Sequence, residues 1–255
     1  MRLILSTLVC FILGFSNIIQ SAEIKEKITF PSKDGLQITA DTYIKHKNPQ
    51  TPLIVLFHQA WWSRGEYIEI APRLNEFGFN CLAVDLRSGS AVNGITNETA
   101  EKAEQAGKST TYLDALPDIK SALIYARQNF GKGKVIAWGS SYSAALVLKV
   151  AGDNPELTDG VLSFAPGEYF ASYGKPATWI QDAVKKIQCP VFITSAKAEK
   201  DGWSAIFSAT SSKKKVSYIP TTKGNHGSRA LWKQYQDSEG YWKAVEDFLD
   251  KYFKK

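Results

Sequence analysis

The sequence predicts an α/β protein with a mostly parallel eight-stranded sheet, an antiparallel amino-terminal edge and helices on both faces. Three observations lead there. Strand-length runs such as Leu53–Phe57 and Val191–Thr194 are apolar throughout, the pattern of strands covered on both sides. These runs alternate with amphipathic stretches of helical length, the order that joins parallel strands by crossover helices. The 255 residues, 44% hydrophobic, can bury one large core without disulfides or metals, and no internal repeat or linker divides them.

Taken in order, residues 24–30 and 37–43 alternate apolar and polar side chains around Lys33-Asp34-Gly35, a hairpin signal that sets the antiparallel edge. The strand Leu53–Phe57 leads to a helix over 68–77, the strand at 81–84 to a helix over 112–129, and the strand at 135–138 to a helix over 144–151. Strands at 160–165, Val191–Thr194 and 216–219 follow, with a helix over 203–210 before the last and a terminal helix over Ser238–Phe253. The segment 88–111 is a polar insert. It follows a strand on the side where open α/β sheets build their sites, so it reads either as a cap over a pocket or as a plain excursion. Asn97-Glu98-Thr99 within it fits a glycosylation sequon, a match short enough to arise by chance.

The amino terminus has the layout of a secretory signal peptide over residues 1–22. Arg2 precedes an apolar stretch over 3–15, and a polar segment ends at Ala22, with Gln20 departing from the small-residue rule for cleavage. The apolar stretch is short for a membrane span. The expectation is therefore a periplasmic or secreted domain over 23–255 with no stable membrane insertion after cleavage. Cys10 lies in the removed segment without a lipobox. Cys81 and Cys189 adjoin strands and read as small core residues; neither has a cysteine partner at metal-ligand spacing, so no metal and no organic cofactor is expected.

The formal charge of +6 owes much to Lys213-Lys214-Lys215 and Lys254-Lys255. No aromatic residues interleave with these lysines, which argues for solvated surface and against a nucleic-acid partner. Gly131-Lys132-Gly133-Lys134 precedes a strand rather than joining strand to helix, so it reads as a turn and not as a phosphate loop.

The chemistry concentrates at Gly139-Ser140-Ser141-Tyr142-Ser143, between the strand at 135–138 and the helix at 144–151. A strand that turns at once into a helix has no room for large side chains two residues either side of the bend. Gly139 and Ser143 are both small, and the apex residue Ser141 is pushed into strain with its hydroxyl above the sheet, the nucleophile elbow. Ser140 at the apex would put Trp138 at a small position, and Ser143 would move the bend into the helix.

A serine hydroxyl needs a base, and the base an orienting acid. Of three histidines only His226 follows the elbow, on the glycine-flanked loop Lys223-Gly224-Asn225-His226-Gly227-Ser228. His46 lies in a charged loop and reads as solvated. His58 precedes the serine and reads as shaping its loop. The acid belongs between Ser141 and His226, after a strand. Glu199 and Asp201 both follow Val191–Thr194, and Glu168 follows the strand before it. Each could equally be a loop or helix-entry charge.

With the elbow at Ser141, the late His226 and the segment His58-Gln59-Ala60 after the third strand, the chain from about residue 24 onwards resembles the α/β-hydrolase superfamily, most of all its dienelactone hydrolase-like and small serine esterase branches. The resemblance implies the α/β-hydrolase fold and an acid loop reading Gly-x-x-Asp; overlaying Ala196 on that glycine makes Glu199 the first choice, ahead of Asp201 and Glu168. It also implies an oxyanion hole built from the backbone NH of Tyr142 and that of Gln59 or Ala60. Dienelactone hydrolases proper carry cysteine as nucleophile, so Ser141 does not carry over that particular activity.

Trp61 and Trp62 in the same loop read either as walls of an apolar or aromatic pocket or as rings anchoring the loop, and Arg64 as a contact for a substrate carboxylate or as a solvated charge. The expected function is that of an exported serine hydrolase, a carboxylesterase acting on a small-molecule acyl substrate through an acyl-enzyme on Ser141. The rivals are acyl transfer or peptide hydrolysis by the same residues, or a binding protein on a hydrolase fold.

Overall fold

The computed structural model describes residues 24–254, so the expected leader over 1–22 lies outside the described residues. The hairpin appears where the alternation places it: β1 (Ile24–Pro31) pairs antiparallel with β2 (Gln37–Ile44), Ile28 opposite Ala40. Then follow β3 (Leu53–Phe57), α1 (Ile70–Glu76) and β4 (Asn80–Val84). The insert holds a two-residue ladder, β5 (Ala91–Val92) with β6 (Ile95–Thr96), and the helix α2 (Glu98–Gln105). The chain continues through α3 (Leu116–Asn129), β7 (Val135–Ser140), α4 (Tyr142–Asp153), β8 (Gly160–Phe164) and α5 (Trp179–Val184). It ends with β9 (Val191–Thr194), α6 (Lys200–Ala209), β10 (Lys215–Tyr218) and α7 (Ser238–Phe253).

Eight strands form one sheet in the order β1-β2-β4-β3-β7-β8-β9-β10. The first two junctions are antiparallel and the rest parallel. Period-two alternation sorts β3 between two fully buried cores: Leu53, Val55 and Phe57 face the layer of α3, α4, α5 and α6, whereas Ile54 and Leu56 face α1 and α7. With both faces covered, each large aliphatic side chain contributes on the order of 1.5–3 kcal/mol, and this is why the strands read as unbroken apolar runs.

The topology also places the site. From β3 the chain moves to β4 on one side, then crosses back to β7 on the other. Connections that leave in opposite directions open a crevice at the carboxyl ends of the two strands, here β3 and β7. Phe57, the last residue of β3, stands level with Gly139 of β7.

Three local readings change. Helix α2 was concealed by its composition, since only Thr99, Ala100 and Ala103 of its eight residues are buried; α5, six residues long, is too short to show a period. His46 is not solvated surface: it is half-buried, and its Nε2 lies 2.7 Å from the Asn75 carbonyl. Asn97 is no acceptor for a glycan, because its fully buried side chain caps α2 through the Ala100 NH at 2.8 Å and donates to the carbonyls of Leu86 and Trp62. Among the described residues no helix is long and apolar enough to cross a membrane.

Candidate active site

The turn from β7 to α4 occupies a single residue. Ser141 sits at φ 59° and ψ −119° between the last residue of the strand and the first of the helix, a conformation that costs a side-chain-bearing residue about 1–3 kcal/mol. Its neighbours hold it there. A Cβ on Gly139 would run into the Ser143 carbonyl and the backbone of Ala144. The Ser141 NH donates to the Phe164 carbonyl at 2.7 Å. Ser143, where a second glycine is usual, fits because its hydroxyl is taken up inside the bend: Oγ lies 2.8 Å from the Phe57 carbonyl and accepts the Ser140 NH at 2.8 Å.

The structure brings Ser141, His226 and Glu199 together. Ser141 Oγ lies 2.8 Å from His226 Nε2, and His226 Nδ1 lies 2.6 Å from Glu199 Oε1. The other Glu199 oxygen accepts the Ala196 NH at 3.1 Å. With Nδ1 protonated, the imidazole donates to Glu199 and offers Nε2 to the serine hydroxyl, the arrangement in which it can act as a base. Gly227, at φ 70°, lets the histidine loop close on the elbow, since a Cβ there would meet Ser140 Oγ and Gln59 Oε1. The other two carboxylates are elsewhere. Asp201 is exposed in the first turn of α6. Glu168 is occupied at the start of α5, where it accepts the Ile180 and Gln181 NH groups, each at 2.9 Å.

Two backbone NH groups near Ser141 have no hydrogen-bond partner among the described residues. That of Tyr142 is the first of α4 and has no acceptor within the helix. That of Ala60 has no hydrogen-bond partner among the described residues. The NH of Gln59, in contrast, is taken up by Glu66 Oε2 at 2.8 Å. His58 shapes this loop from beneath: its Nδ1 donates to the Gln59 carbonyl at 2.8 Å, and its Nε2 accepts the Leu86 NH at 2.9 Å. Burial lowers its pKa to about 4, so it is the neutral tautomer that holds the loop.

The walls divide the remaining expectations. Trp62 anchors the loop, stacked on Trp232 with ring centroids 5.2 Å apart. Arg64 does not face substrate: it is buried among Asp41 (3.0 Å), Asp85 (2.5 Å) and Glu98 (2.8 Å), where it ties the insert to the sheet. Trp61 is 74% exposed at φ 66°. It lines a cleft of about 280 Å³ with Tyr112, Tyr173, Glu104 and the two ends of the insert. Tyr112 stacks on Tyr142 beside the elbow at 4.7 Å. Larger grooves of about 770 and 880 Å³ lie against α3 and at the amino ends of the strands, and hold none of these residues. Nothing local in the sequence marks Tyr112, Tyr173 or Glu66; only the topology gathers them. Among the described residues no cluster of three or more His, Cys, Asp or Glu could hold a metal ion.

Comparison with known proteins agrees with this architecture. The family model described as dienelactone hydrolase family matches residues 40–216. A dienelactone hydrolase from Anabaena variabilis superposes with a TM-score of 0.70 at 14% identity, over 91% of this chain and 99% of the other. An esterase of Pyrococcus furiosus gives 0.67 at 16% identity, over 95% and 98%. A Butyrivibrio proteoclasticus protein solved with ferulic acid bound gives 0.66 at 16% identity, over 89% and 100%. No curated protein matches the sequence.

Glu66 is fully buried, and desolvation pushes its carboxyl up to about 7. A raised pKa means that the folded chain keeps a proton which the unfolded chain releases, so the stability it adds below about pH 4.5 is lost as pH rises to about 7. In urea titrations of the wild type and Glu66→Gln, the stability difference in favour of the variant is expected to grow across that window and level off above it. A difference independent of pH would mean that Glu66 titrates at its ordinary value.

Proposed function

The chain belongs to the dienelactone hydrolase family, and from that membership we propose that it is an exported serine hydrolase that cleaves a carboxylic ester through an acyl-enzyme on Ser141. The observation that carries this reading is the line of hydrogen bonds from Ser141 through His226 to Glu199, at 2.8 and 2.6 Å, on a strained elbow. Ser141 Oγ attacks the ester carbonyl while His226 Nε2 takes its proton. Glu199 holds the imidazole in the required tautomer and stabilises the imidazolium that forms. The tetrahedral oxyanion is received by the NH groups of Tyr142 and Ala60, each such donor contributing on the order of 3 kcal/mol to the transition state. Collapse breaks the ester C–O bond, and the alcohol leaves with the proton from His226. The same imidazole then takes a proton from water as it attacks the acyl-enzyme, and Ser141 is released with the acid.

The cleft of Trp61, Tyr112 and Tyr173 does not itself include Ser141, His226 or Glu199, but Tyr112 stacks on Tyr142 next to the serine, and from that adjacency we read it as room for a compact ester carrying a planar ring. At about 280 Å³ it is near the lower bound of small-molecule sites, and Trp61, Tyr112 and Tyr173 offer ring faces or edges to a flat group. That a neighbouring fold was solved with ferulic acid bound fits the same size and shape. Export is supported by the leader-like segment over 1–22.

Ser141→Ala and His226→Ala are each expected to lower kcat for p-nitrophenyl acetate by about 10⁴-fold or more, and Ser141→Ala to abolish fluorophosphonate labelling. A folded wild type that neither labels nor turns over would sink the reading. Trp61→Ala is expected to cost about threefold to tenfold in kcat/KM on phenyl esters relative to alkyl esters; equal losses on both would remove the ring-stacking role. Mass spectrometry of the protein recovered from an expressing bacterium is expected to find a chain beginning at Glu23, and an intact amino terminus would count against export.

A further inference from the structure

We propose that Glu66 is a positioning residue for ester cleavage, its buried carboxyl locking the oxyanion loop, the elbow and the histidine loop into one floor. Both oxygens are engaged. Oε2 accepts the Gln59 NH at 2.8 Å, and Oε1 accepts the Ser140 hydroxyl at 2.7 Å. Ser140 Oγ in turn accepts the NH of Ser228, two residues beyond His226, at 2.9 Å. The loop after β3, the last residue of β7 and the loop after β10 are thus tied together through the Glu66 carboxyl and the Ser140 hydroxyl, and each adjoins one part of the proposed machinery.

Glu66 is itself held. It lies in a 3₁₀ turn, Arg64–Tyr67, capped by the Ser63 hydroxyl. Its carbonyl accepts Trp232 Nε1 at 2.9 Å, and the next residue, Tyr67, donates its hydroxyl to the Phe57 carbonyl at 2.6 Å. The anchoring matters because of what Glu66 holds. The residue Gln59 is fixed at its NH by Glu66 and at its carbonyl by His58. A peptide group is planar and trans, so fixing that carbonyl also fixes the direction of the Ala60 NH. On the other side, the Ser140 hydroxyl bond steadies the residue immediately before Ser141.

A purely structural account is the weaker one. A buried carboxyl costs desolvation that an apolar side chain of similar volume avoids, and the positive charge of Arg229 offsets that cost only in part. What an apolar replacement cannot supply is two directed acceptors between three loops. In sites of this kind a misplacement of about 1 Å can cost about 10²-fold in rate, and such a misplacement need not alter substrate binding.

The inference rests on the serine-hydrolase reading, and one set of measurements separates the two. kcat and KM for p-nitrophenyl acetate, the rate of fluorophosphonate labelling and urea unfolding are compared for wild type, Glu66→Gln, Glu66→Leu, Ser140→Ala and the Glu66→Leu/Ser140→Ala double variant. Glu66→Gln keeps the shape and one acceptor and is expected to lower kcat about tenfold; Glu66→Leu is expected to lower it about 10²- to 10³-fold, with KM within about threefold and labelling slowed in step. Removing Ser140 Oγ is expected to cost less in the Glu66→Leu variant than in the wild type, because the bond to Glu66 is already gone and only the bond to the Ser228 NH remains to be lost. A kcat within about threefold of wild type for Glu66→Leu, or fully additive losses, overturns the inference. Should Glu66→Leu fail to fold, wild-type kcat in both Glu66→Gln and Ser140→Ala overturns it. A wild type that neither labels nor turns over overturns the serine-hydrolase reading, and the inference with it.

Discussion

The site depends on one backbone constraint: β7 becomes α4 within a single residue, Ser141, at φ 59°. Such a turn is stable only where its surroundings leave no alternative. Here β3 and β8 flank β7, α4 packs against the strand it follows, and strand and helix are buried almost throughout. The bend therefore inherits its rigidity from two apolar cores. Gly139 and Ser143 make the turn sterically possible, and the Ser143 hydroxyl, bonded within it, shows why a serine can stand where glycine is usual. From that fixed point, the level pairing of Phe57 with Gly139 opens the loop after β3 directly beside the serine.

Beneath this crevice lies a layer of buried polar groups. His58, Glu66 and the cluster of Arg64 with Asp41 and Asp85 are all nearly or wholly excluded from solvent. Buried ion pairs are weak contributors to stability, since desolvation consumes most of their attraction. Their effect is directional. Arg64 links β2, the loop after β4 and α2 through Asp41, Asp85 and Glu98, so the insert is pinned to the sheet edge instead of floating above it. His58 and Glu66 do the same for the loop after β3 at closer range.

What could be read in the sequence was whatever depends on local pattern or chain order. Strand runs, the hairpin and the terminal helix follow from periodicity, and the elbow follows from small residues at a strand-to-helix junction. Chain order asks for an acid between Ser141 and His226 and is met by Glu199, Asp201 and Glu168 alike; the preference for Glu199 comes from the family resemblance, and the structure sets Ser141, His226 and Glu199 in line. What could not be read depends on which distant residues meet. Arg64, beside a presumed substrate loop, gives no sign that three acids from other elements surround it. Gln59 and Ala60 are equivalent donors until Glu66 takes one of them. The two tryptophans cannot be told apart until Trp232, from the far end of the chain, stacks on Trp62 and leaves Trp61 outside. In each case a pairing across more than twenty residues, or a choice between neighbours made by contact with another residue, decides the role.

Trp61 completes this logic because its backbone and its ring have separate consequences. A bulky residue at φ 66° is strained, and no ring contact relieves it, since the side chain is 74% exposed. The left-handed turn follows Ala60 directly, so the chain reverses just after the Ala60 NH, and Trp62 can then swing back to anchor the loop. After this turn Trp61, although largely exposed, lines the cleft with Tyr112 and Tyr173. Floor and wall are thereby linked through one residue. Polar groups buried beneath the loop hold the peptide between Gln59 and Ala60, and the residue that follows carries a largely exposed aromatic ring on the side of Tyr112 and Tyr173.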